Sequence, residues 1–222
     1  MKALAIDSAV PCISLAACNQ QKKASVTLDI GMRQSEKLVP AIAYVLEQVD
    51  LQPTDLELIA LSGGPGSFTG LRLGFAAAKG LQLSTGCPVY SIPTLEAQAL
   101  PYSCWPGVVV SAIDAKKDRF YVQFFSNGKK QSEPMDAEIE EIVQTIGSQE
   151  ALIVGPDSLV LHNRLKAQDN NLRLHRLPDL SSSITDALFS MAQKAYERQE
   201  AQLEPYQGPI YLRKSEAEEN QR

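Results

Sequence analysis

The chain's 222 residues, 44% hydrophobic and 21% charged, suffice for one large domain or two small ones with a real core. A formal charge of −5 argues against a chain that binds nucleic acid by itself through a basic surface. No apolar run approaches the roughly 20 residues of a membrane helix, and the opening Met1 to Asp7 lacks a secretion-type apolar stretch, so a cytoplasmic location and no membrane partner are expected.

Three short strands are expected first, at Ala3 to Ile6, Cys12 to Cys18 and Ser25 to Ile30. Turns this short between them imply an antiparallel meander. A helix follows from Ser35 to Val49, with Leu38, Ile42, Val45 and Val49 in one stripe and Val39, Ala43 and Leu46 in a second beside it. Leu58 to Leu61 reads as a buried strand running into a glycine-rich turn. From there a second helix extends from Thr69 to Leu83, stopped by Thr85-Gly86-Cys87-Pro88. A strand from Pro88 to Ile92 and a short helix from Thr94 follow.

Pro101 to Gly107 interrupts all periodicity and marks the expected boundary. Residues 1–102 form a first domain, completed by residues 203–222, and residues 103–202 form a smaller second one. In the second, strands are expected at Val108 to Ile113 and Phe120 to Phe125, with Asn127-Gly128 as a hairpin turn. A helix from Ala137 to Ile146, a strand from Leu152 to Val154, a helix from Leu159 to Ala167, a strand from Leu172 to Leu177 and a long helix from Ile184 to Arg198 complete it. The tail after Lys214 is expected to fray.

Cys12, Cys18, Cys87 and Cys104 contain no Cys-x-x-Cys pair, which leaves buried or half-buried free thiols. Cys12 and Cys18 on one strand would stand roughly 20 Å apart, beyond the reach of a disulfide.

The two halves begin alike. Ala5-Ile6-Asp7-Ser8-Ala9 and Ala112-Ile113-Asp114-Ala115-Lys116 each place an apolar strand ending in Asp before a polar turn and a second apolar strand. This context points to a duplication. It resembles the actin, hexokinase and Hsp70 superfamily, which implies an α/β fold of two duplicated ribonuclease H-like domains, with mixed sheets flanked by helices. In that superfamily the opening hairpin turns face a shared cleft, and a tight turn's N–H groups can cradle phosphate. The competing reading of Asp7 and Asp114 is a carboxylate that ends a strand and hydrogen-bonds its own turn.

The stretch Gly63-Gly64-Pro65-Gly66-Ser67-Phe68-Thr69-Gly70-Leu71-Arg72-Leu73-Gly74 lies between a strand and a helix, the setting in which helix N–H groups bind phosphate. It is not a Walker loop, since no Gly-Lys-Ser/Thr follows, and its spacing is not that of a dinucleotide fingerprint. A tight turn with Ser67 or Thr69 as N-cap fits equally well. Asp7, Ser8, Gly64, Gly66 and Ser67 are the candidate phosphate or nucleotide contacts.

Read with Ala5-Ile6-Asp7-Ser8, Gln34-Ser35-Glu36-Lys37-Leu38-Val39-Pro40 and Glu204-Pro205-Tyr206…Pro209-Ile210-Tyr211-Leu212-Arg213, this stretch resembles the TsaB (YeaZ) family. The likeness is strong over the first hundred residues and loose between Asp118 and Leu203. It implies a non-catalytic subunit of the bacterial machinery that places threonylcarbamoyl on the adenosine beside the tRNA anticodon. The implied partners are a catalytic, metal-holding TsaD-like paralogue, a TsaE-like ATPase, a second copy of the chain in isolation, and tRNA through the complex only. No cofactor is implied for this chain alone, and ATP or ADP binding is a candidate only within the complex. The His-x-x-x-His metal pair of TsaD has no counterpart here, where the histidines are His162 and His175. Gln34 stands where the family motif has His.

The helices point the same way. A core-facing helix needs an apolar arc of roughly 100°, whereas the first helix fills about 160° at 100° per residue and the second is apolar almost all round. Either a second layer of this chain covers them, or they form an exposed two-helix face. The face implied by the family's paired-helix interface comprises Ser35, Glu36, Leu38, Val39, Ile42, Ala43, Leu46, Leu73, Ala76, Ala77 and Gly80. The rival functions are a small ATP-dependent kinase or phosphotransferase using Asp7 or Asp114, with Gly155-Pro156-Asp157 as its nearest adenine loop, and a hydrolase using Ser67 or Ser8. The latter lacks a His base and the Gly-x-Ser-x-Gly elbow.

Overall fold

The computed structural model describes residues 1–177 and 183–213, so the tail expected to fray lies outside the described residues. In chain order the elements are β1 (Lys2–Asp7), β2 (Ile13–Asn19), β3 (Lys22–Leu28), α1 (Gln34–Glu47), β4 (Leu58–Ser62), α2 (Phe68–Thr85), β5 (Val89–Ile92), α3 (Thr94–Ala99), β6 (Val108–Lys116), β7 (Arg119–Ser126), β8 (Lys129–Lys130), β9 (Met135–Ala137), α4 (Ile139–Ile146), β10 (Glu150–Val154), α5 (Ser158–Gln168), β11 (Arg173–Arg176) and α6 (Thr185–Glu197). The sequence places nearly all of them. It misses β9, which occupies the start of the helix expected from Ala137.

Both sheets have the same plan. The first runs β3-β2-β1-β4-β5, with β1 antiparallel to β2 and parallel to β4. The second runs β11-β10-β6-β7-β8, with β6 antiparallel to β7 and parallel to β10, and with β9 also paired to β7. Each sheet thus centres on the first strand of its half and, with the short β9 set aside, reads 3-2-1-4-5 in local order. This is the duplicated α/β architecture expected from the repeated Ala-Ile-Asp context. The central strands are buried on both sides, which is why Ala3 to Ile6 and Val108 to Ile113 are unbroken apolar runs rather than alternating ones, Ser111 excepted. At Asn127 and Gly128 both φ angles are positive, as a two-residue hairpin turn demands.

The chain divides into two compact units: Met1–Thr94 with Ser183–Ile210, and Leu95–Ser182 with Tyr211–Arg222, of which 178–182 and 214–222 lie outside the described residues. This corrects the expected boundaries. The break falls at Thr94 rather than within 101–107, because Tyr102 and Trp105 pack with Ala99 against Val109, Phe125, Leu152 and Val154 of the second sheet. The helix expected in 103–202, α6, belongs to the first unit, where it packs on β1, β4 and β5. An amphipathic stripe shows that a helix covers something and not which sheet it covers. Of the returning segment, 203–210 joins the first unit and 211–213 does not.

In the first unit α1 and α2 share one core with Leu4, Ile6, Ile13, Leu15, Ile59, Leu61 and Val89. That core includes no residue of α6 and omits Ala3 and Ala5, so by strand alternation α6 lies on the opposite face. All four cysteines are free. Cys104 is exposed, which departs from the expected buried or half-buried thiols. No helix among the described residues is long and apolar enough to cross a membrane.

Candidate functional site

Two features stand out in the first unit, the outer side of the α1–α2 pair and the glycine-rich junction beneath α2. On α1, Leu38, Ile42 and Leu46 are buried in the unit's own core. These three residues of the expected interface are therefore corrected to core positions, since the over-wide apolar arc serves two surfaces and its inner half is spent on β2 and β3. The outer half is exposed: Ser35, Glu36, Val39 and Ala43 face outward, with Val39 64% accessible. On α2, Ala76 and Gly80 are exposed, while Leu73 and Ala77 are half-buried and pack on the core. Tyr44 and Leu83, which the sequence reading left out of the face, are 52% and 86% exposed. Leu83 follows Ala76 and Gly80 at seven and three residues' distance, so the helical period could have found it.

The second unit supplies an internal control. Its topological counterparts, α4 and α5, turn Glu140, Glu141, Gln144, Asn163, Arg164 and Gln168 outward, with Leu159, Val160 and Ala167 as the apolar exceptions. The same architecture thus exposes more large apolar side chains in the first unit, Val39, Tyr44 and Leu83 among polar neighbours, than in the second.

The glycine-rich stretch is a packing junction. Gly63 N–H donates to Ile92 O (2.7 Å), Gly64 N–H to Thr94 Oγ1 (3.0 Å), Ser67 N–H to Ala9 O (2.6 Å) and Gly70 N–H to Ser67 Oγ (3.3 Å). A Cβ at Gly64, Gly66 or Gly70 would come within 3.0 Å of the backbone oxygens of Ile210, Ala9 and Ser8 respectively. The glycines allow the loop and the first half of α2 to lie directly on the β1–β2 turn and on the returning segment 203–210. Gly64, Gly66 and Ser67 are therefore corrected from an open phosphate cradle to a closed junction, with the N–H groups of Gly64 and Ser67 spent inside the chain. Gln34, in place of the family's His, donates through Nε2 to Pro11 O and ties the start of α1 to the same turn.

Asp7 and Asp114 both hydrogen-bond their own turns, Asp7 at the end of β1 and Asp114 two residues before the end of β6. Asp7 Oδ1 accepts from Ala9 N–H (3.1 Å) and Asp114 Oδ1 from Lys116 N–H (2.7 Å), each capping its own turn two residues on. Their electrostatics differ. Burial pushes the Asp7 carboxyl up to about 6, against the lowering effect of hydrogen bonds from Ala9 and Ser62. Burial also pushes Asp114 up, but the hydrogen bonds and charge of Lys116 outweigh it and hold that carboxyl below the ordinary value. The Asp7 contribution to stability is fully present below about pH 4 and is lost as pH rises through about 6, a change of order 3 kcal/mol. Ser8 is fully buried, and its Oγ has no hydrogen-bond partner. Neither Asp7 nor Ser8 is placed to meet a solvent-borne phosphate.

In the second unit, Asp136 receives two arginines. Arg213 donates to it through Nε (3.0 Å) and Nη2 (2.8 Å) and to Ala115 O through Nη1 (3.2 Å); Arg119 donates to it through Nε (3.0 Å). The hydrogen bond from Arg119 to Asp136 holds that guanidinium above the ordinary arginine value despite burial. Replacing Asp136 by Asn should leave two half-buried guanidinium groups facing each other and lower the unfolding free energy by about 2 kcal/mol. Urea unfolding would measure this, and an unchanged midpoint would show the pairing to be inconsequential. Gly155, the nearest adenine-loop candidate, is closed off in the same manner as Gly64: its Cβ would meet Ala112 O within 3.0 Å.

A family model described as TsaD, tRNA N6-adenosine threonylcarbamoyltransferase, matches residues 31–219. The chain belongs to this family. Its curated relatives include TsaB proteins: it is 32% identical to that of Bacillus subtilis over 91 residues, 41% of this chain and 40% of that one. It is likewise 32% identical to that of Escherichia coli over 124 residues, 54% of this chain and 53% of that one. The matched region spans about half the length of the curated relatives. YeaZ from Pseudomonas aeruginosa superposes with a TM-score of 0.76 at 21% identity, over 95% of this chain and 99% of that one, and so shares the fold. The TsaB resemblance read from the motifs holds.

Proposed function

We propose that the chain is a non-catalytic partner subunit in the transfer of threonylcarbamoyl to the adenosine next to the tRNA anticodon. The observation that carries this reading is the group of exposed apolar side chains on α1 and α2, Val39, Tyr44 and Leu83 with Ala43 and Ala76, set against the more polar outer side of the equivalent α4–α5 pair. An exposed apolar patch on one of two like units marks a docking surface. The partner is a TsaD-type catalytic subunit presenting a matching helix pair, and a second copy closes the face when that subunit is absent. The ATPase of the TsaE type and tRNA engage the assembly rather than this chain alone, in keeping with a net charge of −5. Any ATP or ADP binds at the level of the complex. The chain's two histidines, His162 on α5 and His175 on β11, form no helical metal pair of the TsaD kind.

Reconstitution tests this. A separately produced TsaD-type subunit, the ATPase and the threonylcarbamoyl donor should modify tRNA only when this chain is added, and this chain should be inert without the TsaD-type subunit. Modification by this chain alone would overturn the reading.

A further inference from the structure

The Asp7 carboxyl is buried, with 2% of the residue accessible; it accepts from Ala9 N–H (3.1 Å), and the neighbouring Ser62 hydroxyl favours its charged form. Ser62 Oγ also accepts from Ser8 N–H (3.2 Å). Ser8 in turn abuts α2 directly: its carbonyl oxygen lies within 3.0 Å of where a Cβ of Gly70 would be, and its unpartnered Oγ within 3.0 Å of where a Cβ of Gly74 would be. The contacts thus run from the carboxyl to Ser62, to the Ser8 backbone, to the glycine side of α2.

The charged groups nearby do not neutralise the carboxyl. Cys12, at the β1–β2 turn, is itself pushed up by burial and by the charges of Asp29 and Asp7. On α2, Arg72 stacks on Phe68 and Lys79 donates to the carbonyls of Pro205 and Gln207. On α6, Asp186 pairs with Lys23 of β3. Facing Asp7 across β2 is Ser14, and β4 offers Ser62.

We infer that Asp7 is a buried proton switch under α2: the neutral carboxyl seats the glycine-rich loop and the first half of the helix on the β1–β2 turn, and the ionised carboxylate loosens that seat. An anion held by two donors in an apolar setting draws in water or further donors. The groups able to move are the Ser8 backbone and the glycine contacts resting on it. The outer side of this same helix carries the docking face, so loosening the seat lowers association as pH rises. That last consequence rests on the function proposed above; the seating of the helix does not.

Amide hydrogen exchange on the full chain, corrected for the intrinsic chemical rate, reads the switch. Between pH 5 and pH 7.5 the amides of Ser67, Leu71 and Gly74 should lose about tenfold in protection, while those of α4 do not. In Asp7→Asn the protection of the same amides should not change with pH. Flat protection in the natural chain, or an equal loss in Asp7→Asn, would overturn the inference. Should that variant fail to fold, the carbon-13 shift of the Asp7 carboxyl decides, and a titration midpoint below about 4.5 would sink it. If exchange changes as expected but self-association does not follow pH, the switch stands and the docking role of α2 fails.

Discussion

Val39→Glu is expected to weaken self-association, and association with a TsaD-type subunit, by at least about a hundredfold while leaving the fold intact. Val39 is 64% exposed, so the monomer has little to lose, and surface changes of this kind usually stay within about half a kcal/mol. In the closed face a glutamate would be buried without a counter-charge, at a cost of several kcal/mol. Every 1.4 kcal/mol is about a factor of ten in affinity. Glu36, one turn earlier on the same outer side, adds like-charge repulsion. Ala76→Glu provides the same test from α2. Ala77 does not, because it is half-buried against the chain's own core and a charge there would damage the monomer. Sedimentation velocity would show the mass halving and circular dichroism the secondary structure retained. A folded Val39→Glu and Ala76→Glu pair that still dimerises would place association on another surface.

Gly70→Ala should lower stability by about 2 kcal/mol or more, whereas Gly80→Ala in the same helix should raise it by up to about 1 kcal/mol. Glycine inside a helix costs roughly 1 kcal/mol relative to alanine, so both sites begin with the same potential gain. At Gly80 nothing lies within 4 Å of the new methyl group, and the gain is realised. At Gly70 the methyl group would meet the Ser8 carbonyl oxygen within 3.0 Å, and that residue directly follows β1 with its N–H donated to Ser62 Oγ (3.2 Å). Overpacking against backbone costs about 1–3 kcal/mol and here would pry α2 from the turn. Thermal unfolding of the two variants at one pH separates them. Shifts in the same direction would show that the contact at Ser8 is not tight, and with it the junction described here.

Much of this molecule is legible from local chemistry. The repeated apolar strand ending in Asp at Asp7 and Asp114 anticipates two sheets of one topology, because a central strand must be apolar on both faces and its terminal carboxylate can close the turn that follows. The Gly63–Gly74 segment and the motif ending at Arg213 carry the family. The widths of the apolar arcs on α1 and α2 announce more surface than one core needs. Local chemistry does not say which part of those arcs goes where. Leu38, Ile42 and Leu46 differ from Val39 and Ala43 only by rotation about a helix axis, and the position of β2 and β3 decides which set is buried. Nor does it say which sheet α6 covers, since an amphipathic stripe fits any apolar face. The role of the glycines is likewise tertiary: a flexible loop that cradles an anion and one that admits a neighbouring backbone have the same composition. Here the carbonyls of Ser8, Ala9 and Ile210 fill the space, and only their arrival from distant parts of the chain determines that it is closed.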